Sequence, residues 1–145
     1  MDKSSPVRVL VVDDFKPWLS AVNAVFANEV GVQIVGTAVD GPEAIARAEV
    51  LRPDLVLMDI SLPSMNGIEA AWQIIDLVPD TKIIFLTERS EPELVHAAFA
   101  VGGRGYVLKS SARCELLLAI KAVVEGKRYI ARDLGGYDIT KNMDT

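Results

Sequence analysis

The sequence is poor in the residues that build disulfides and zinc sites, with one cysteine, Cys114, and one histidine, His96, among 145 residues. A lone thiol closes no intramolecular bridge and the two residues are too few for a Cys/His cluster, so a reducing cytoplasm is the expected location. Long hydrophobic runs are missing too. The apolar stretch from Val7 to Val12 is interrupted by Arg8 and stops at Asp13-Asp14, too short for a signal-peptide core or a membrane span. Positive charge is in deficit: 15 Lys and Arg against 20 Asp and Glu leave a formal charge of −5. Direct nucleic-acid binding by this chain is therefore not expected, because phosphate contacts dominate such affinity. Nucleotide loops are absent as well. No G-x-x-x-x-G-K-[ST] occurs, Gly102-Gly103-Arg104-Gly105 precedes a strand-like run and fails G-x-G-x-x-G, and there is no G-x-S-x-G elbow.

What is present is half hydrophobic by composition, at a length that suits one domain able to bury a core without disulfides. Five runs rich in Val, Ile and Leu recur: 7–12, 32–36, 54–58, 82–86 and 105–108. Most are nearly continuous in apolar residues, the pattern of parallel strands covered on both faces. Between them lie helix starts. Asp40-Gly41-Pro42-Glu43, Asn66-Gly67-Ile68-Glu69 and Ser90-Glu91-Pro92-Glu93 each place a capping side chain three residues before a glutamate. The first helix is expected to open at Asp14 with Leu19, Val22 and Phe26 on one stripe. The last is expected from about Ala112, with Leu116, Ile120, Val123 and Val124 inward and Gly126 as its stop. His96 and Cys114 are expected to be helix residues without a special role. Alternating strand and helix implies a doubly wound βα repeat of five units, followed by an irregular tail from near Lys127 that carries Gly135-Gly136.

In such sheets ligands sit beyond the carboxyl ends of the strands, and here those ends are polar. The first run ends in Asp13-Asp14, the third in Asp59, the fourth in Thr87 and the fifth in Lys109. If the first and third strands are neighbours, their carboxylates converge. Each feature also has a structural explanation: Asp13-Asp14 as a helix cap, Asp59 as a turn residue, Thr87 as a β-former at a boundary, Lys109 as a solvated charge. All four at one sheet edge argue otherwise. Crowded carboxylates raise a pKa or recruit a cation, and an all-oxygen site suits Mg2+. A phosphoryl group could then approach a carboxylate, with Lys109 and Thr87 facing its oxygens.

The stretches Val11-Val12-Asp13-Asp14, Met58-Asp59-Ile60-Ser61-Leu62-Pro63-Ser64-Met65-Asn66-Gly67, Leu86-Thr87 and Gly105-Tyr106-Val107-Leu108-Lys109 resemble the receiver domain of bacterial two-component response regulators. Gly-Tyr-Val-Leu-Lys-Ser-Ser and Gly-Lys-Arg-Tyr-Ile look most like the NarL/LuxR-type subfamily. The resemblance implies a flavodoxin-like (CheY-like) α/β fold: a doubly wound five-stranded parallel sheet, order 2-1-3-4-5, with five helices. It divides the chain into an N-terminal extension (1–6), a receiver (7–126) and a linker-like tail (127–145).

Carried over position by position, the resemblance implies that Asp59 is the phosphoacceptor, taking a phosphoryl group from a sensor histidine kinase. Asp14, Asp59 and the Ser61 backbone carbonyl would hold Mg2+, with Asp13 assisting through water. Thr87 and Lys109 would bind the phosphoryl oxygens. Tyr106 would be the switch aromatic, turning into space vacated by Thr87 and changing the surface of the fourth helix, fifth strand and fifth helix. The chain would assist its own phosphorylation and dephosphorylation without being an enzyme in the usual sense.

Departures from the family pattern add expectations. Glu88 stands where a small residue is usual, which would slow phosphotransfer, and Arg89 is expected to offset it by pairing with Glu88 or with the phosphoryl group. Ser61 and Arg89 would set the acyl-phosphate lifetime. Ser110 follows Lys109 where many receivers have proline after a cis peptide, and a cis bond before serine would cost about 2.5–4 kcal/mol. Leu118, expected to be exposed on the last helix beside Cys114 and Lys121, suggests a patch for a second copy or an output protein. A length of 145 residues leads to the expectation of a stand-alone receiver. The alternatives are a receiver portion of a longer NarL/LuxR-type transcription regulator, a phosphorylation-independent pseudo-receiver, and a Mg2+-dependent aspartyl-phosphate phosphohydrolase. The last would need D-x-D after the first strand, which Asp13-Asp14-Phe15 does not supply.

Overall fold

A computed structural model describes residues 5–134. Its strands are β1 (Val7–Val12), β2 (Val32–Ala38), β3 (Leu55–Met58), β4 (Lys82–Thr87), β5 (Gly105–Leu108) and β6 (Tyr129–Ile130). Its helices are α1 (Lys16–Phe26), α2 (Gly41–Leu51), α3 (Gly67–Leu77), α4 (Pro92–Ala100) and α5 (Ala112–Val124). All strand pairs are parallel, in the order β2-β1-β3-β4-β5-β6.

The continuous apolar runs are explained by two cores fed from alternate residues of each strand. Leu10, Val12, Val56, Met58, Ile83, Phe85 and Tyr106 face α2, α3 and α4, where Ala44, Ala48, Ala70, Ile74 and Phe99 close the layer. Val9, Val11, Leu55, Leu57, Ile84, Leu86 and Val107 face α1 and α5, against Val22, Phe26, Leu116, Ile120 and Val123. Small alanines on α2 and α3 let those helices lie close to the sheet and to each other.

Two of the three expected caps form. Asp40 accepts from Glu43 N at 2.8 Å while Glu43 reaches back to Val39 N at 2.7 Å, and Asn66 Oδ1 accepts from Ile68 N and Glu69 N. Ser90 does not cap α4. Its N-cap is Glu91, whose side chain makes no capping bond. α1 starts at Lys16 instead of Asp14, because Phe15 is still extended and gives its N–H to Asp13 Oδ1 at 2.9 Å. Val22 and Phe26 are buried there and Leu19 is half-buried; on α5 the inward set holds except that Val124 is half-buried, and Gly126, at φ 89°, ends the helix.

The sheet has six strands where five were expected, and the segment from Lys127 is not irregular throughout. Tyr129 and Ile130 pair with Gly105 and Tyr106, a 3-10 turn follows at Arg132–Leu134, and Ala131 is fully buried. Buried Glu115 on α5 secures this addition, accepting from the Tyr129 hydroxyl at 2.6 Å and from Arg132 N at 3.0 Å. Gly135-Gly136 and residues 1–4 lie outside the described residues. No helix among those described is long and apolar enough to cross a membrane.

Candidate functional site

β1 has β2 on one side and β3 on the other, and both ladders continue one residue further: Asp13 N donates to Ala38 O of β2 and Asp59 N to Val12 O of β1, both at 3.0 Å. Asp13 and Asp59 therefore emerge side by side at the point where strand order reverses, both buried, with exposed Asp14 next to them. One carboxylate oxygen from each of the three lies within 4.8 Å of the others. Thr87 ends β4 and is fully buried, and Lys109 opens the 3-10 turn after β5. A cavity of about 230 Å³ at this edge is lined by Asp13, Asp14, Phe15, Asp59, Ser61, Thr87, Glu88, Arg89 and Lys109.

Lys109 Nζ lies 2.5 Å from Asp13 Oδ2 and 3.1 Å from Asp59 Oδ2. Burial pulls its ammonium down, but the close contact with Asp13 and the charges of Asp59 and Asp13 outweigh it, so Lys109 stays above the ordinary lysine range. Burial pushes the Asp13 carboxyl up, more than Lys109 and the Phe15 N–H pull it down, and Asp59 adds to the rise. Asp13 Oδ2 is buried and takes no hydrogen bond of regular geometry despite its contact with Lys109. One ammonium thus serves a site crowded with anions.

The helix-cap explanation of Asp13-Asp14 fails, since α1 has no side-chain cap. Tyr106 is already fully buried, 6.3 Å from Phe85 between ring centres, and its hydroxyl donates to Arg89 O at 2.7 Å. Burial holds its phenol well above the ordinary tyrosine range. Arg89 does not pair with Glu88. Its guanidinium is bound to Glu91 and reaches Ser61 Oγ at 3.2 Å, because Glu91 at the head of α4 offers both carboxylate oxygens. The Lys109-Ser110 peptide is trans.

Two residues escaped the sequence reading. Gly67 lies so close to the loop after β3 that a methyl group there would come within 1.8 Å of the Asp59 carbonyl oxygen, while its N–H donates to Ile60 O at 2.8 Å. In the sequence Asn66-Gly67 reads as a helix start and as the end of a receiver-like stretch; the close approach belongs to the tertiary fold. Trp18 sets its indole 5.2 Å from Lys109 Nζ, a cation–π contact from a helix whose stripe was assigned to the core.

The description "Response regulator receiver domain" matches residues 9–121. The chain belongs to that family. Response regulator GacA of Pseudomonas viridiflava is 35% identical over 125 residues, covering 86% of this chain and 58% of the relative. The LuxR-family two-component response regulator from Aurantimonas sp. SI85-9A1 superposes with a TM-score of 0.87 at 30% identity, covering 97% of this receiver and 100% of that chain. The CheX-CheY-BeF3-Mg2+ complex from Borrelia burgdorferi matches with a TM-score of 0.76 at 26% identity, over 83% of this receiver and 90% of that chain. The receiver spans just under three fifths of the length of its GacA relative. Its kinship with the NarL/LuxR-type regulators agrees with the Gly-Tyr-Val-Leu-Lys-Ser-Ser stretch.

Proposed function

We propose that this receiver takes a phosphoryl group on Asp59 from the phosphohistidine of a sensor histidine kinase. The observation that carries the reading is the Asp59 carboxylate at the floor of the cavity, with the Lys109 ammonium 3.1 Å away and the Thr87 hydroxyl in the same lining. A carboxylate oxygen of Asp59 attacks phosphorus and forms the P–O bond. The N–P bond of the donor breaks, its electron pair returns to the imidazole, and that ring takes up a proton. Lys109 and Thr87 face the transferred oxygens, so the charge arriving on them meets an ammonium and a hydroxyl donor already in place. By these contacts the receiver assists its own phosphorylation and dephosphorylation.

The residues present fit Mg2+: three carboxylates converge, the donors are all oxygen, and the buried Asp13 Oδ2 lacks a regular hydrogen bond. Asp14, Asp59 and the Ser61 carbonyl would hold the ion, with Asp13 assisting. Bound there, Mg2+ supplies the positive charge that lets a phosphoryl group approach a carboxylate. The Borrelia complex, named for its Mg2+ and BeF3, is consistent with this assignment.

Output follows from position. The Arg89 carbonyl and the buried Tyr106 hydroxyl tie the loop after Thr87 to β5, so a shift of Thr87 toward a phosphoryl group moves the surface of α4, β5 and α5. That surface is the candidate docking face for a second copy or an output protein. A receiver that controls a longer NarL/LuxR-type regulator is the second reading, favoured by the greater length of GacA.

Intact mass after incubation with Mg2+ and acetyl phosphate tests the proposal. One added phosphoryl group, lost in Asp59→Asn and without metal, is the expected result. No addition to a folded, Mg2+-binding protein would favour a phosphorylation-independent interaction module, with Glu88→Ala the variant to examine next.

A further inference from the structure

Arg89, two residues past Thr87, is held by its main chain and its side chain. Its N–H donates to Thr87 Oγ1 at 3.2 Å and its carbonyl accepts from the Tyr106 hydroxyl at 2.7 Å. Its guanidinium donates to Glu91 through Nε at 2.9 Å and also through Nη2, while Nη1 reaches Ser61 Oγ at 3.2 Å from across the cavity rim. Glu91 is the N-cap residue of α4, yet its carboxylate makes no capping bond. A short acid such as aspartate accepts from the first-turn amides at that position, and the longer glutamate is not among the preferred caps. Here both oxygens turn back to Arg89, and Oε1 also accepts from Ser90 N at 3.1 Å.

We propose that Glu91 is a positioning residue, which parks the Arg89 guanidinium across the cavity rim and yields it to the phosphoryl group once Asp59 is modified. The inference rests on the reading of Asp59 as phosphoacceptor. The planar fork of arginine suits a carboxylate and a phosphoryl group equally well, so the two compete for the same donors. At rest the carboxylate has no rival. The pair is about half exposed, which makes it weak enough to be broken by a group carrying close to two negative charges. Once released, Arg89 lies over the phosphoryl oxygens on the Ser61 side and obstructs water there. Because Glu91 still competes with the phosphoryl group for the guanidinium, it lowers the share of time Arg89 spends there and so shortens the life of the acyl phosphate.

The test uses the full chain and two readouts. In the unmodified protein, the Arg89 Nε–H resonance is expected to be protected from solvent exchange and to lose that protection in Glu91→Gln. After phosphorylation, Glu91→Gln is expected to lengthen the acyl-phosphate half-life roughly two- to fivefold, the scale of an exposed ion pair. In an Arg89→Ala background the same substitution is expected to change nothing, which separates parking from a general loss of negative charge. Thermal unfolding of each variant confirms that the comparison is made between folded proteins. Equal Nε–H exchange in both proteins, an unchanged or shortened half-life, or the same lengthening without Arg89 would overturn the proposal. If wild-type Asp59 accepts no phosphoryl group, the functional reading above fails, and the resonance alone decides whether Glu91 parks Arg89.

Discussion

Two buried carboxylates, Asp13 and Glu115, sit at opposite extremes of satisfaction. Glu115 accepts from a tyrosine hydroxyl and a backbone amide, and the result is structural: it fastens the short β6 and the turn after it to α5. Asp13 Oδ2 has an ammonium beside it but no regular hydrogen bond, shares its surroundings with Asp59 and Asp14, and opens on a cavity. Burial costs both. At Glu115 neutral donors absorb the cost within the fold, whereas at Asp13 part of it is left for a ligand to relieve. An incompletely satisfied acid in a cleft is the better marker of function.

The contrast can be broken or sharpened by substitution. The largest effect is expected from Gly67→Ala, because a Cβ within 1.8 Å of the Asp59 carbonyl oxygen forces the loop to move. It should cost about 3 kcal/mol or more in urea unfolding and remove phosphorylation, since the overpacked atom is backbone and cannot rotate away. Next comes Glu115→Ala, expected to cost about 1–3 kcal/mol by stranding the Tyr129 hydroxyl and the Arg132 amide, while phosphorylation of Asp59 persists. Asp13→Asn should do the reverse, leaving stability within about 1 kcal/mol but weakening Mg2+ binding and phosphorylation. Matched losses of stability and phosphorylation in both variants would erase the distinction.

Legibility in the sequence divides along similar lines. The five longer strands and the caps at Asp40 and Asn66 could be read because each depends on neighbours a few residues away. β6 could not, since two residues carry no periodicity and their anchor, Glu115, lies fourteen positions back from Tyr129. The Ser90 cap failed because Glu91 took its place beside Arg89. Asp14, Asp59, Thr87 and Lys109 were legible as strand-end residues, a position that requires only the topology. Gly67, Trp18 and Glu91 act through close approach between distant segments or through side-chain direction, and no spacing encodes that.

Smaller effects refine the comparison. The Tyr129 phenol is pushed up to about 12, first by burial and then by its bond to Glu115. A tyrosine in the unfolded chain titrates near 10, so the folded state keeps its proton longer. The stabilisation is fully present below about pH 10 and is lost as pH rises toward about 12; the stability difference between wild type and Tyr129→Phe, followed across that range, should shrink accordingly. Smallest is Trp18→Leu, which removes the indole from Lys109 and should slow phosphorylation by roughly two- to fivefold, on the scale of about 0.5–1 kcal/mol for such a contact.

The most direct measurement locates the modified atom. Borohydride reduction of the phosphorylated receiver converts an aspartyl phosphate to homoserine, which peptide mass spectrometry assigns to a residue. Homoserine at position 59, with positions 13 and 14 unchanged, is the predicted result. Homoserine at either of those positions, or at none while the intact mass shows an added phosphoryl group, would contradict the assignment of Asp59 as the acceptor.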